Sequence, residues 1–343
     1  MKPWSLVRLC VPAAVFAAAF VSQAAEQTLY VATPSHIYVY SLGASEPRLT
    51  IADNLANVTQ LAIDNTSSRY AANYGTPDLR PYAPFPVNYL DSSVTVYVLG
   101  QTTPFLNIKV DGLPGTYPES RFTGVAVDDF GIVFASALDR NAVEVYPPLW
   151  TVPAFEITSG IVNPGRLAVQ GEHLYVQSGD SDIIRFPEGE KLSVTGLGQL
   201  SDFKIGSDGS VYATAFVVDY ANTETEFVNV FKPNANQPSM GLNLYSGAPR
   251  ASFMLPTLAV AGDSLYVSVP DLNAVFEYSI SQNLKLVRTI DLYQPGRVAV
   301  DAQGNLYATA SSELLVYPPA ASTPSQVIAL PTADTVVDIV LGK

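Results

Sequence analysis

The sequence has few of the residues from which most enzyme and metal sites are built. Its 343 residues include one cysteine, Cys10, and two histidines, His36 and His173. A single cysteine excludes an intramolecular disulfide and any zinc site made of several cysteines. Because Cys10 lies in the leader described below, we expect the exported chain to have no thiolate nucleophile. Its stability must then come from packing alone.

Charged residues are also scarce, and one sign dominates. They make up 14% of the chain, and 31 acidic residues against 18 basic ones give a net charge of −13 at pH 7. An acidic surface repels phosphate backbones and anionic bilayers, so we expect no nucleic-acid partner and no attachment to anionic membranes. Basic ligands and divalent cations are compatible with such a surface.

The longest apolar run stands at the N-terminus. Lys2 and Arg8 are followed by an apolar stretch over 9–21, and Ser22-Gln23-Ala24 offers the small residues of a signal-peptidase site. The run is shorter than the roughly 20 apolar residues that cross a bilayer, so we expect no stable membrane insertion. The pattern predicts a secretory signal peptide over 1–24, a single exported domain over 25–343, and a periplasmic or secreted location.

The remainder of the chain repeats one pattern. The stretch GVAVDDFGIVFASALDRNAVEVYPP from Gly124 matches GRVAVDAQGNLYATASSELLVYPP from Gly296. Both contain an apolar strand, an Asp-x-x-Gly turn, a second strand that ends in small residues, and a third strand that stops at proline. The alternation is that of half-buried strands, and proline cannot continue a ladder. Second and third strands of this kind recur seven times, each time followed by a fourth apolar stretch.

Four short strands repeated about every 40 to 45 residues are typical of a β-propeller. We therefore predict an all-β, seven-bladed propeller of four-stranded antiparallel blades, and a monomer. The first unit begins at its second strand, Leu29, and the chain ends in TVVDIVLGK, a first strand with no second strand after it. The C-terminal strand is expected to pair into the N-terminal blade and to close the ring, which removes an exposed edge.

The Asp-x-x-Gly turns allow two interpretations. Asp128, Asp301 and the variant Asp208-Gly209 resemble the start of a calcium-binding loop. In an ordinary hairpin turn, aspartate bonds to its own backbone and glycine takes the position with φ > 0. These carboxylates lie in different blades and cannot form one cage of six to eight oxygens. We interpret them as hairpin turns.

The repeats resemble those of NHL-type propellers, especially exported bacterial ones. The resemblance rests on GVAVDDFGIVFAS, GRVAVDAQGNLYAT, the VYPP endings and YVYSLGASEPRLTI over Tyr38–Ile51, and it extends over nearly the whole exported chain. It implies an architecture and no particular chemistry, because NHL-like propellers include binding scaffolds, lyases of cyclic antibiotics, lactonases and peptide-processing enzymes.

The enzymatic relatives imply site residues that this chain largely lacks. A streptogramin-lyase-like site implies histidine and glutamate beside a divalent metal, but His36 and His173 fall on opposite faces of the predicted ring. A lactonase-like site implies Glu, Asn and Asp around the axial channel. The inner strands begin instead with Gln60, Arg121, Arg166, Asp202, Arg297 and Asp334. We predict no catalytic residue, no metal ligand and no cofactor; calcium or magnesium enters only if the chain is such an enzyme.

The spacing of the repeats points to a binding face. Blades two and five are the longest, and their extra residues, 73–93 and 215–227, join second to third strands; blade five also has a long connection to the next blade. In up-and-down blades all these connections leave the same face. The blade-two loop combines prolines, which stiffen it, with aromatics, which offer contact area. The predicted ligand-binding residues are Tyr74, Arg80, Tyr82, Phe85, Tyr89, Asp219 and Tyr220, with Arg166 and Arg297 at the channel mouth.

Three functions stay open at this point. The first is an exported, non-catalytic propeller that binds a protein, peptide or glycan on its loop-decorated face. The second is a metal-dependent propeller hydrolase or lyase with its site at the axial channel. The third is a purely structural surface component, in which the aromatic loop of blade two packs over its own blade.

Overall fold

Seven four-stranded antiparallel sheets form a seven-bladed β-propeller, as the repeats predict. The structure, a computed structural model, describes residues 27–77, 89–90, 92–109, 121–194, 198–219, 223–247, 255–332 and 335–342. The expected signal peptide over 1–24 lies outside these ranges. No helix in the described part of the chain is long and apolar enough to cross a membrane.

The strands of the first three blades follow one another along the chain, with one additional hairpin in blade two. Their bounds are β1 (Thr28–Ala32), β2 (Ile37–Ser41) and β3 (Leu49–Ile51) in blade one, β4 (Val58–Ile63), β5 (Arg69–Asn73), β8 (Ser93–Tyr97) and β9 (Leu106–Lys109) in blade two, and β10 (Phe122–Val127), β11 (Val133–Ala137), β12 (Ala142–Tyr146) and β13 (Phe155–Ile157) in blade three. The additional hairpin consists of β6 (Thr76–Pro77) and β7 (Tyr89–Leu90).

The other four blades have the same order of strands. Their bounds are β14 (Pro164–Gln170), β15 (His173–Ser178), β16 (Asp182–Phe186) and β17 (Glu190–Ser193) in blade four, β18 (Gln199–Ile205), β19 (Val211–Val218), β20 (Glu224–Phe231) and β21 (Met240–Gly247) in blade five, β22 (Thr257–Ala261), β23 (Ser264–Val269), β24 (Ala274–Ser279) and β25 (Lys285–Asp291) in blade six, and β26 (Pro295–Val300), β27 (Leu306–Ala310), β28 (Glu313–Tyr317) and β29 (Gln326–Ala329) in blade seven. The last strand is β30 (Asp338–Gly342), and two single 3-10 turns are η1 (Leu138–Arg140) and η2 (Pro270–Leu272).

The first blade is completed by the end of the chain. Its strand order is β3-β2-β1-β30, so the C-terminal strand takes the place of the missing first strand. All five residues of β1 are buried, and β30 covers its second edge. The predicted closure by the C-terminal strand is therefore confirmed.

Small hydroxyl side chains join neighbouring blades, which explains why Ser or Thr recurs at the ends of second strands. Ser136 Oγ donates to the carbonyl oxygen of Gly165 at 2.7 Å, linking blade three to blade four. Thr214 Oγ1 likewise donates to the carbonyl oxygen of Pro256 at 3.2 Å, linking blade five to blade six. In each case a side-chain hydroxyl of one blade satisfies a backbone carbonyl of the next.

The Asp-x-x-Gly segments are hairpin turns. Asp128 Oδ1 accepts hydrogen bonds from the backbone N–H groups of Phe130 and Ile132, both at 2.9 Å. Asp301 Oδ1 accepts the equivalent bonds from Gln303 at 3.0 Å and Asn305 at 2.8 Å. The glycines have φ of +78° and +84°, a conformation in which a Cβ is strained. Each carboxylate binds its own turn, as predicted.

Contacts divide the chain into two compact units, each with its own core. The first comprises residues 1–174, 186–189 and 340–343, and the second comprises 175–185 and 190–339. The expected single domain over 25–343 stays a prediction. Buried side chains in the first unit include Val94, Ile108, Phe122 and Val125, and those in the second include Val228, Leu265, Val267, Val275 and Leu306.

Candidate functional site

In the first unit, an inner-strand amide binds the backbone of two other strands. Gln60, on β4, is 7% exposed. Its Oε1 accepts hydrogen bonds from the N–H groups of Val125 at 3.3 Å and Leu167 at 3.0 Å, and its Nε2 donates to the carbonyl oxygen of Leu167 at 2.7 Å. The amide is therefore a structural tie between three inner strands. Arg166, a predicted ligand-binding residue, lies half-buried on β14 of the same unit.

In the second unit, an inner-strand carboxylate lies between two cations. Asp202, on β18, is 2% exposed and accepts hydrogen bonds from the N–H groups of Phe203 at 3.0 Å and Leu258 at 3.3 Å. Arg297 Nη1 lies 3.8 Å from Asp202 Oδ2, and Lys204 Nζ lies 3.8 Å from Oδ1. A divalent ion would have to compete with two positive side chains here, so this carboxylate is a poor metal ligand. Asp334 lies outside the described residues.

Tyr74 belongs to a polar network where the second-to-third connections of blades two and three meet. Arg121 Nη1 donates to Tyr74 Oη at 2.5 Å, and the Arg121 guanidinium carbon lies 5.2 Å from the centre of the Tyr74 ring. Arg121 Nε donates to Asp139 Oδ2 at 2.9 Å. Burial alone would raise the pKa of Asp139, but the bonds from Arg121 outweigh it and hold this pKa below its usual value. Arg121 therefore anchors this surface and does not begin an inner strand.

The base of the blade-two loop is well anchored. Thr76 pairs with Leu90 and Pro77 with Tyr89 in the additional hairpin. Asn57 Nδ2 donates to the carbonyl oxygen of Gly75 at 2.7 Å, which fixes the point where the loop begins. Of the predicted binding residues in this loop, Arg80, Tyr82 and Phe85 lie outside the described residues, and only the backbone of Tyr89 is described. Their predicted role in binding stays a prediction.

Blade five has an extended second-to-third hairpin. Its strands β19, β20 and β21 each have eight residues, whereas most second and third strands of the other blades have five. Three additional residues lengthen a strand by roughly 10 Å. Asp219 at the tip is exposed, and its Oδ1 accepts a hydrogen bond from the N–H of Thr223 at 2.8 Å. Tyr220 lies outside the described residues.

Three buried carboxylates lie together next to the tip of this hairpin, where Glu224 pairs with Val218 across the turn. Glu224 is 9% exposed, Glu226 is 1% exposed, and Asp271 of η2 is 7% exposed. One oxygen of each lies within 4.8 Å of the others. Each of the three has at least one interaction partner, so none of these carboxylates is free. Carboxylate oxygens are ligands that calcium and magnesium favour.

Sequence reasoning did not find this carboxylate cluster. The alternation in the segment TETEF does place Glu224 and Glu226 on one face of a strand. Asp271, however, comes from the next blade, and nothing in the sequence indicates that its side chain meets the other two. The cluster belongs to the second unit and lies at the ends of second and third strands, away from the inner strands.

Comparison with known proteins establishes the fold and no family. No family model matches the chain, and no curated protein matches it either. The crystal structure of Ika8, a computationally designed protein, is 12% identical with a TM-score of 0.57, and the match covers 92% of this chain and 87% of that one. The hydrazine synthase of Kuenenia stuttgartiensis is 13% identical with a TM-score of 0.56, and the match covers 76% of each chain.

Identities this low support similarity of fold alone, so neither protein's activity transfers to this chain. Membership of the NHL family and export from the cell stay predictions. The chain is similar to these two solved structures in fold, and its function has to be argued from its own residues.

Proposed function

We propose that the chain is an exported, non-catalytic binding propeller that recognises a protein or peptide through its second-to-third connections. The observation that carries this proposal is the extended hairpin of blade five, whose strands are eight residues long. A long, regular hairpin presents a tip without disturbing the blade beneath it. Loops held by a rigid scaffold are where binding surfaces concentrate.

The polar groups on the inner strands support binding more than catalysis. The Gln60 amide bonds to the backbone of Val125 and Leu167, and the Asp202 carboxylate lies between Arg297 and Lys204. A general base or a metal ligand needs an atom that can face substrate, and these groups face the protein. The anchored Tyr74–Arg121–Asp139 network instead resembles an interface, because Tyr and Arg are enriched among residues that dominate binding energy.

Replacing residues 219–223 with Asn-Gly tests this role directly. Asn-Gly forms a two-residue turn that closes an antiparallel hairpin. Of the residues removed, those that the structure describes, Asp219 and Thr223, form hydrogen bonds only with each other. The melting temperature should therefore change by less than about 2 °C. Binding should weaken at least about tenfold for at least one member of a defined panel of basic, acidic and neutral peptides that binds the unaltered chain.

Blade seven offers the matched control, because its second-to-third turn consists of Ser311 and Ser312 alone. The change of these two residues to Asn-Gly should leave peptide binding unaltered. A tip variant that melts far below the unaltered chain, or that binds every peptide as well, would contradict the proposal. Purified polysaccharides are included in the same panel, and binding of one of them in place of a peptide would identify the ligand as a glycan.

A metal-dependent hydrolase or lyase is the second candidate, and the carboxylate cluster is the observation that favours it. Glu224, Glu226 and Asp271 bring oxygen ligands within 4.8 Å of one another. These residues would hold calcium or magnesium at the ends of the strands of blades five and six. Among the described inner-strand residues, catalysis at the axial channel has no such support, since the Asp202 carboxylate already faces two cations.

A further inference from the structure

Five blades share one turn between their third and fourth strands. In each, the N–H of the fourth turn residue donates to the carbonyl oxygen of the first, at 3.0 to 3.1 Å, and the residue after a closing proline donates back to the third strand at 2.8 Å. The donors of the first bond are Ala44, Gln101, Trp150, Ala235 and Ala321. The same turn thus occurs in blades one, two, three, five and seven. Each of these turns can therefore be compared with four equivalent turns in the same chain, which serve as reference turns.

The third residue of this turn has a left-handed backbone. Its φ is +80° at Gly43, +78° at Gly100, +63° at Asn234 and +61° at Ala320, all of them small residues or asparagine. In blade three the same position is Leu149, with φ of +68°. A branched apolar side chain is strained in this conformation, and strain retained at one of several equivalent positions points to a functional role.

The strained residue is part of an exposed apolar surface. Leu149 is 70% exposed, Trp150 is 55% exposed and Val152 is 59% exposed. Phe130, 62% exposed, lies in the neighbouring hairpin turn, which packs against this one: a Cβ on Gly131 would lie 3.5 Å from Pro148 Cγ. At the third and fourth residues of the turn, the four reference turns have Gly-Ala, Gly-Gln, Asn-Ala and Ala-Ala, whereas blade three has Leu-Trp. Clustered exposed apolar side chains on a folded chain mark interaction sites.

The charge around this surface is acidic on balance: Lys109 and Arg140 line a cavity with Val152, but Arg140 is paired with Glu144 and Glu156. The turns of blades two and three on this side are 64–68, 98–105, 128–132 and 147–154. They contain Asp64, Asp128 and Asp129 and no lysine, arginine or histidine. An apolar centre beside acidic residues complements a segment that is apolar on one side and basic on the other. A second copy of the chain would bring net charge −13 against −13, which disfavours self-association.

We propose that Leu149 and Trp150, with Phe130 and Val152 beside them, form a docking surface for a basic amphipathic protein segment. The surface lies at the ends of the blade-three strands opposite η1, on the far side from Asp139 and the second-to-third connection of the same blade. It is therefore independent of the binding role proposed above. Trp150 is the anchor, because tryptophan dominates binding energy at interfaces.

Tryptophan fluorescence tests this surface with a defined probe. The chain has two tryptophans, so the Trp4→Phe background leaves Trp150 as the only tryptophan, which is excited selectively at wavelengths that tyrosine does not absorb. The probe is a synthetic 14-residue helical peptide of leucine and lysine, with a leucine and glutamate peptide as its charge-reversed control. We expect the basic peptide alone to shift Trp150 emission to the blue and to protect it from iodide quenching.

Two substitutions separate docking from folding. In titration calorimetry, Trp150→Ala should raise the dissociation constant of the basic peptide by about 30-fold or more. The melting temperature should not change, since Ala is present at this position in three of the reference turns. Leu149→Gly should raise the melting temperature by a few degrees and still weaken binding. Ala320→Gly, the same change in blade seven, should leave binding unaltered.

Several results would overturn the proposal. One is absence of binding by the basic peptide, and another is binding that Trp150→Ala leaves intact. A loss of stability in Leu149→Gly would make this residue structural. A blue shift of Trp150 emission with phosphatidylcholine vesicles in place of peptide would assign the surface to lipid. A dimer in sedimentation velocity that becomes a monomer in Trp150→Ala would assign the surface to a second copy of the chain.

Discussion

Deleting residues 338–343 is expected to abolish cooperative folding of the chain. The deletion removes β30, which supplies the inner strand of blade one. It uncovers β1, whose Leu29, Tyr30 and Val31 are at most 1% exposed, and it removes Ile339, itself 6% exposed. Uncovering several such side chains costs about 1.5 to 3 kcal/mol each, and the backbone ladder of β1 is lost as well. The total exceeds roughly 5 kcal/mol, a large part of the stability of a typical domain.

The effect should appear as a broad, non-cooperative thermal transition by circular dichroism, with binding of a hydrophobic dye at room temperature. Deleting Lys343 alone, which leaves β30 intact, is the control and should melt like the unaltered chain. A peptide of residues 335–343 added in trans should restore part of the transition. A cooperative melt near that of the unaltered chain would show that closure by β30 contributes little.

Gly124→Val is expected to destabilise the chain by about 3 kcal/mol. Gly124 lies on β10, where a Cβ would overlap the carbonyl oxygen of Gly165 and lie 3.0 Å from Gln60 Oε1. The carbonyl is backbone and cannot turn aside, so β10 and β14 would have to separate and weaken the bonds of Gln60 to Val125 and Leu167. Overpacking of this kind costs about 1 to 3 kcal/mol before lost hydrogen bonds are counted.

The measurement is the free energy of unfolding in urea, supported by a melting temperature lowered by roughly 10 °C. Gly241→Ala is the matched control, since the added Cβ meets the end of the flexible Asn229 side chain at 3.1 Å and otherwise only a carbonyl oxygen at 3.8 Å. It should cost less than about 1 kcal/mol. Equal stability of Gly124→Val and the unaltered chain would mean that the inner strands do not approach as described.

The fold could be read from the sequence because its repeat satisfies several physical requirements at once. Alternating side chains define strands, prolines end them, and the Asp-x-x-Gly turns close hairpins in which Asp128 and Asp301 bond their own backbone. The unpaired strand at the chain end then had one place to go, beside β1. Local propensity and global topology agree in this chain, which is the condition for a reliable prediction.

The candidate site could be predicted only where it depends on loop length. The long connections of blades two and five were visible in the spacing, and Tyr74 does lie in a surface network. Asp271 meets Glu224 and Glu226 only through the packing of adjacent blades, which spacing does not encode. Leu149 has no signal in the sequence, because its left-handed φ becomes conspicuous only when the same turn in four other blades is compared.

The measurement that tests the central claim most directly is a thermal melt of the full chain, stripped with chelator and then given millimolar calcium or magnesium. A ligand at 100 times its dissociation constant adds about 2.7 kcal/mol to stability, which is a shift of several degrees for a chain of this size. A non-catalytic binding propeller predicts the same melting temperature with and without metal. A rise of several degrees that Glu226→Gln abolishes would contradict this account and favour the metal-dependent enzyme.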